Sequence, residues 1–461
     1  MEKLYNYSFI LTYFTQFLFG WALFFVLNYG ATTLDLNVIL CYILLFISFF
    51  FLRKKINISI NYPNMIFFAF NFLILFSMIK PILSGGLGEI TQNIKSTLHY
   101  YYIVFFVILL YSELLKPYSF IKIIKGLIWI LFIFDLYGIY QLFARALGLP
   151  FGWIEYTNTG IMSRLEIVGT IQQTTVSFGS FYRVNSIFVE PSVLASFNIL
   201  LFIFLVIPWI QQREGFIKNN KILLLLVSVC LITLFLTYSM TGLGSLSFVL
   251  LLIFLIEYFE SYKFLFKVML ISIVTIVFAN LLMIELFGID LLKLFTYRIE
   301  NIFTLGSDEM GGESFTTRLS NTLSTISIWT QYPLFGVGLG LLGYQKEFVA
   351  LFSDTTIFSI LAECGIFNFI LFNALLYSLL FTSIRLYKIV RERDNIPADE
   401  KKLIGIAPYI ALFETVRCSL TANILIYFVL WMELSFIFFV INYYSSYLGH
   451  KILTITFRKS S

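Results

Sequence analysis

"RVNSIFVEPSVLASFNILLFIFLVIPW" (183–209) joins two kinds of sequence that water and membrane treat oppositely. Arg183 and Glu190 stand seven residues apart, and from Pro191 an apolar run continues to Trp209. A run of about 20 such residues, wound as an α-helix, matches the thickness of a bilayer's hydrocarbon core. Proline suits the first helical turn and disfavours helix at the residue before it, so the helix begins here with Glu190 at its mouth. Charges in that place are costly unless they have a partner or a task.

The rest of the chain repeats the apolar run. Of the 461 residues 59% are hydrophobic, only 12% are charged, and 54 are Phe. Soluble domains carry about 25% charged residues. The reading is an all-α, polytopic integral membrane protein forming one domain over 1–461. About twelve transmembrane helices are expected, at roughly 8–29, 34–52, 63–79, 99–115, 121–146, 190–209, 222–239, 241–259, 265–287, 356–383, 403–420 and 424–446. The run from 8 to 29 is too long for the apolar part of a signal peptide and is read as the first spanning helix. Cys41, Cys230, Cys364 and Cys418 form no CxxC pair, and His99 and His450 lie near helix ends.

Charge sets the orientation. With a cytoplasmic N-terminus, the inner segments hold Lys3, Arg53-Lys54-Lys55, Lys116, Lys122, Lys125, Arg213, Lys218, Lys221, Lys263, Lys267, the 385–402 cluster, Lys451, Arg458 and Lys459. Both termini then face inward, as the excess of cations in cytoplasmic loops requires. The outward cations are Lys80, Lys95, Arg145, Arg164, Arg183, Lys293, Arg298, Arg318, Lys346 and Arg417, mostly arginines. Arginine presents a planar fork that suits phosphate and carboxylate, which points to an anionic ligand outside; lipid headgroups are the plainer alternative. The net charge of +5 is no nucleic-acid signal, because the cations sit beside the membrane helices.

Two outward loops, 147–189 and 288–355, are too long to be simple connections. In the second, Leu319, Leu323, Ile326 and Thr330 fall at helical spacing, with Ser320, Asn321 and Ser324 opposite. An amphipathic helix on the membrane surface is expected, with Arg318 near its start and its end before Pro333. In "GSDEMGGES" (306–314), Asp308, Glu309 and Glu313 could hold a divalent cation, but the spacing fits no EF-hand and three carboxylates among glycines read rather as a solvated loop, so no metal is expected. "GLGLLG" (338–343) formally matches GxGxxG but follows no strand of a βαβ unit; its glycines suit close backbone packing instead.

Four stretches together resemble the O-antigen polymerase and O-antigen ligase superfamily, the Wzy-type membrane glycosyltransferases of bacterial surface polysaccharides. They are "RVNSIFVEPSVLA", "LTYSMTGLGSLSFVLLLI", "TRLSNTLSTISIWTQYPLFGVGLG" and "DTTIFSILAECGIFNFILF". Met240 stands where the superfamily often has Arg, and Asp354-Thr355 where a ligase has His-Asn. Neither long loop contains histidine, which favours a polymerase over a ligase.

The resemblance implies transfer of a growing glycan from undecaprenyl diphosphate to a hydroxyl of another lipid-linked unit, at the outer face of the bacterial plasma membrane. No cofactor is implied; the partners would be the lipid-linked oligosaccharide, membrane lipids, a chain-length regulator and a flippase. Glu190 and Asp354 are the candidate bases. Arg183, Arg318, Arg298, Arg164 and Arg417 are the candidate diphosphate ligands, and Ser192, Tyr182 and Trp329 the glycan contacts. For Glu190 a second reading stays open, an acid favoured by the helix dipole and paired with a nearby Arg. Glu363, Glu414 and Glu433 fall in apolar segments, where ionisable groups are functional by default; Glu414 and Arg417 are spaced to neutralise each other. The alternatives are an O-antigen ligase and a non-enzymatic flippase, for which inverted repeats with paired broken helices would be expected.

Overall fold

The computed structural model describes residues 55–109, 115–157, 170–173, 181–188, 190–212, 214–290, 313–342, 355–420 and 428–456, with short pieces near 6–14, 26–35, 177–178, 292–300 and 425. The expected helices at 8–29 and 34–52 lie largely outside these. Where the expected helices are described at 26–29 and 34–35, the chain is strand instead: β1 (Val26–Tyr29) pairs with β2 (Thr32–Asp35). The sequence between them, Gly30-Ala31, is of the Gly-X kind that tight hairpins use.

β3 (Lys55–Ile60) follows, then α1 (Tyr62–Ile74), a 3₁₀ turn, α2 (Ile79–Ser84), α3 (Leu87–Leu109) and α4 (Pro117–Leu147). The first long loop carries two small hairpins, β4 (Glu155–Thr157) with β5 (Thr170–Gln172) and β6 (Ser177–Phe178) with β7 (Phe181–Tyr182). Then come α5 (Pro191–Gln212), α6 (Asn220–Leu236), α7 (Met240–Phe287), α8 (Glu313–Gln331), α9 (Thr356–Arg391), α10 (Ala398–Leu420), α11 (Phe428–Tyr443) and β8 (Lys451–Thr456). Among the described residues, five stretches are long and apolar enough to cross a membrane: Tyr62–Ser84, Pro191–Gln211, Met240–Glu257, Thr356–Arg391 and Ala398–Leu420.

The two helices expected at 241–259 and 265–287 are one continuous helix, α7. No glycine or proline lies between Gly244 and Gly288, so nothing in the backbone stops it. The run holding Lys263 and Lys267, expected as a cytoplasmic turn, is helical. At about 1.5 Å per residue α7 is more than twice as long as a bilayer core is thick.

The chain forms two compact units. The first comprises 1–20, 34–120 and 318–461, the second 21–33 and 121–317. In the first, Trp431 is buried against Phe67 and Tyr100 at centroid distances of 6.0 and 5.6 Å, locking α11 to α1 and α3. The opposite stripe of α1, with Met65, Phe68 and Phe72 and continued by Leu75 of the 3₁₀ turn, is exposed. In water such a stripe would be a sticky patch; against lipid tails it needs no partner. β3 pairs with β8 in antiparallel register, Lys55 opposite Thr456 and Ile60 opposite Lys451. Two segments expected on one side of the membrane are therefore found together.

In the second unit α5 is the buried helix, with 89% of its spanning window covered. Beyond Asn198 it is apolar on all faces, as a helix with no solvent side should be. Gly242, in the first turn of α7, lies so close to α5 that a Cβ there would come within 2.6 Å of Ala195 Cβ.

Candidate functional site

One end of the second unit gathers the entrance motif. Glu190 directly precedes α5, as its Pro191 dictates, and its backbone carbonyl accepts from Val193 N at 3.2 Å. Its side chain is exposed and accepts from Ser192 Oγ at 3.1 Å. Among the described residues no cation pairs with Glu190, so the paired-arginine reading finds no support there.

Arg183 has a structural task. Its Nε donates to the Thr237 carbonyl at 2.9 Å, and Val184 N donates to the Leu236 carbonyl at 3.2 Å. These carbonyls are among those the last turn of α6 leaves without a helical partner. The cation also complements the negative end of the helix dipole. Two residues later Ser239 caps α7 by accepting from Gly242 N at 3.2 Å. The N-termini of α5 and α7 thus lie side by side, with Arg183 at the intervening end of α6.

Arg145 ties the same end to α4. Its Nε donates to Gly152 O at 2.8 Å, its Nη1 to Arg183 O and Asn185 Oδ1, and its Nη2 to Gln173 Oε1 at 2.7 Å. The guanidinium lies over the Trp153 ring at 4.2 Å, and Trp153 meets Tyr182 edge-on at 5.0 Å. Arg145 is thus a buried clamp for the two ends of the first long loop. Gln173 completes it by donating to Ser186 O and Phe188 O, both at 2.7 Å. Among the described residues Phe151, Ser186 and Tyr238 alone are non-glycines with positive φ, and all three lie at this end. Such backbone costs about 1–3 kcal/mol per residue and concentrates where geometry has a function.

The first unit holds the other motif. "PLFGVGLG" (333–340) packs into a break in α9, where Gly365 has φ 81° and ψ 178°, a glycine-only conformation. The break frees the Ala362 and Glu363 carbonyls, which accept from Val337 N at 2.9 Å and Gly338 N at 3.0 Å. Ile366 N in turn donates to Pro333 O at 3.0 Å. A Cβ on Gly365 would sit 2.0 Å from Leu334 O, and one on Gly340 would sit 2.0 Å from Ser96 Oγ. The glycines serve close packing, as expected. Glu363 is buried and its Oε1 accepts from Leu342 N at 3.3 Å.

α8 runs from Glu313 to Gln331 and ends before Pro333, as expected. The face it packs is Thr325 and Ile328, however, with Trp329 against Val337, Leu341 and Ala362. Leu323 and Thr330, of the expected apolar stripe, are exposed, leaving that stripe for a surface other than the unit's core. Trp329 Nε1 donates to Pro333 O at 3.1 Å, so its polar edge closes the turn after the helix.

Arg417, expected among the outward cations, is buried between two carboxylates. Its Nη2 lies 2.7 Å from Glu414 Oε2 and 3.1 Å from Glu433 Oε2. The spacing of Glu414 and Arg417 anticipated the first contact; Glu433, from α11, is the addition. Arg318 lies on α8 with its side chain outside the described residues, as do Arg164, Arg298, Asp354 and the 306–312 stretch altogether.

Gln173 and Asp135 escaped the sequence reading, and Arg145 was read there only as an outward cation. The clamp that Arg145 and Gln173 form is recognisable only through partners far along the chain. Asp135 was open to the rule applied to Glu363, Glu414 and Glu433, an ionisable group within an apolar run. No family model matches the chain, and no curated protein matches it.

Proposed function

We propose that the chain is a membrane glycosyltransferase that lengthens lipid-linked polysaccharide, with its transfer site at the end of the second unit where α5 and α7 begin. One observation carries this reading: Arg183, Glu190 and Ser192 share an end with two adjacent helix N-termini. Helix N-termini present backbone N–H groups and partial positive charge, the environment that a diphosphate needs.

The chemistry follows from these groups. Glu190 takes the proton from an acceptor hydroxyl, whose oxygen bonds to the anomeric carbon of the donor glycan. The bond from that carbon to the lipid diphosphate breaks, and the diphosphate leaves with the electron pair. Arg183 and the two helix starts stabilise the charge that develops on it, an electrostatic contribution that is often the largest in catalysis. Ser192 orients the Glu190 carboxylate, and Tyr182 with Trp153 offers an aromatic wall for sugar. The site faces outward, with both termini in the cytoplasm and the plasma membrane of a bacterium as its place.

Arg417 is left out of this site, because its buried guanidinium is already paired with two carboxylates. A flippase is disfavoured by the break in α9, which the chain's own 333–340 segment fills. The test is reconstitution of purified protein with a diphosphate-linked repeat unit as sole substrate. Longer glycans still attached to lipid are expected. Movement across the bilayer without lengthening would replace the reading by a flippase, and transfer only to lipid A–core would replace it by a ligase.

A further inference from the structure

Asp135 lies in α4 and is fully buried, and among the described residues neither of its oxygens makes a hydrogen bond of full geometry, although the Asn198 carboxamide is close enough to interact. The side chain of Asn198, from α5, faces it, and both the Oδ1 and Nδ2 of that carboxamide are likewise buried without partners. Cys230 closes the third side from α6 and is occupied, its Sγ donating to the Asn198 backbone carbonyl at 3.2 Å. Thr233, one turn further along α6, is fully buried with its hydroxyl unpartnered, and its methyl reaches the Gly138 position of α4. Among the described residues the Cys230 thiol is the titratable group that interacts with Asp135, and no Lys, Arg or His pairs with it. Asn198 is about two turns into α5 from Glu190, beneath the mouth and within the apolar layer.

A lone carboxylate there would carry uncompensated charge in a medium that cannot solvate it, and such groups neutralise instead. An ionised Asp135 would also leave the carboxamide oxygen of Asn198 with nothing to accept from. A carboxylic acid and a primary amide are complementary: each has one donor and one acceptor on the facing edge.

We infer that Asp135 binds a proton at neutral pH and shares it with Asn198, forming an acid–amide pair that joins α4 to α5. The Asp135 hydroxyl donates to Asn198 Oδ1 and Asn198 Nδ2 donates to the other Asp135 oxygen, so all four unpartnered atoms are used. The proton comes from water and returns to it; no other bond changes. This site is independent of the transfer site proposed above and stands whether or not that assignment holds.

The test is infrared spectroscopy of the full-length protein in lipid nanodiscs at pH 7. The wild type should show a protonated-carboxyl C=O band that shifts in D2O, and Asp135→Asn should lose it while melting at the same temperature. Asn198→Leu should keep the band and move it to higher frequency, because the carbonyl loses its donor. Labelling with [4-13C]aspartate should shift the same band in the wild type, a readout that needs no variant to fold. Superposable spectra of wild type and Asp135→Asn, or a band indifferent to both Asn198→Leu and the aspartate label, would overturn the inference. So would thermal stabilisation by Na+ over choline that Asp135→Asn abolishes, since the ligand would then be a metal cation.

Discussion

Arg183 Nε donates to the Thr237 carbonyl at 2.9 Å, so the arginine that opens the entrance motif also closes α6. A structural and a catalytic role therefore fall on one side chain, and substitutions separate them. Lysine can still bond one carbonyl but lacks the fork that grips phosphate. Arg183→Ala should lower thermal stability, by about 1–2 kcal/mol for a helix-end group of this kind. Arg183→Lys should recover most of that stability and little of the glycan lengthening. Paired melting curves and product-length assays check this; recovery of both together by lysine would leave Arg183 as a cap only.

Gly365 tests the seat of the 333–340 segment. Gly365→Ala meets the Leu334 carbonyl at 2.0 Å and must hold φ at 81°. The expected loss is about 2–3 kcal/mol or more, through strain and clash together. Gly86→Ala is the control, since a Cβ there meets nothing within 4 Å. Equal melting temperatures for the two variants would contradict the packing described.

Arg417 makes a sharper structural prediction. Removing one partner of a buried ion pair leaves a bare charge and costs about 3–5 kcal/mol, whereas replacing all members by neutral residues of similar size costs far less. Arg417→Met alone should therefore accumulate poorly in membranes. Arg417→Met combined with Glu414→Gln and Glu433→Gln should accumulate near normally, as immunoblots and detergent melts would show. A well-behaved single variant would mean that the triad is not the interdependent ion-pair cluster described.

Where local chemistry decides structure, the sequence was readable. Pro191 marked the start of α5 and put Glu190 at its mouth, Pro333 followed the end of α8, and the glycines of 333–340 foretold close packing. Other features depend on partners that no local pattern reveals. The basic residues near 263 looked like a cytoplasmic turn, yet a stretch without glycine or proline kept α7 helical. Arg145 and Arg417 read as outward cations because their partners lie elsewhere in the chain, on Gln173 and Asn185 for one and Glu433 for the other. The amphipathic stripe of α8 was visible, but which face meets protein is set by Val337 and Ala362, not by α8 itself.

Glu190 carries the central claim, and glutamine is its most informative replacement, because the shape stays and the proton acceptor goes. The measurement is the rate at which purified protein in vesicles lengthens diphosphate-linked glycan, wild type against Glu190→Gln, with melting temperature recorded on the same samples. The account predicts a loss of about 10²-fold or more, the range of a general base, at an unchanged melting temperature. Lengthening by Glu190→Gln at the wild-type rate would contradict it and remove the transfer step from the mouth of α5.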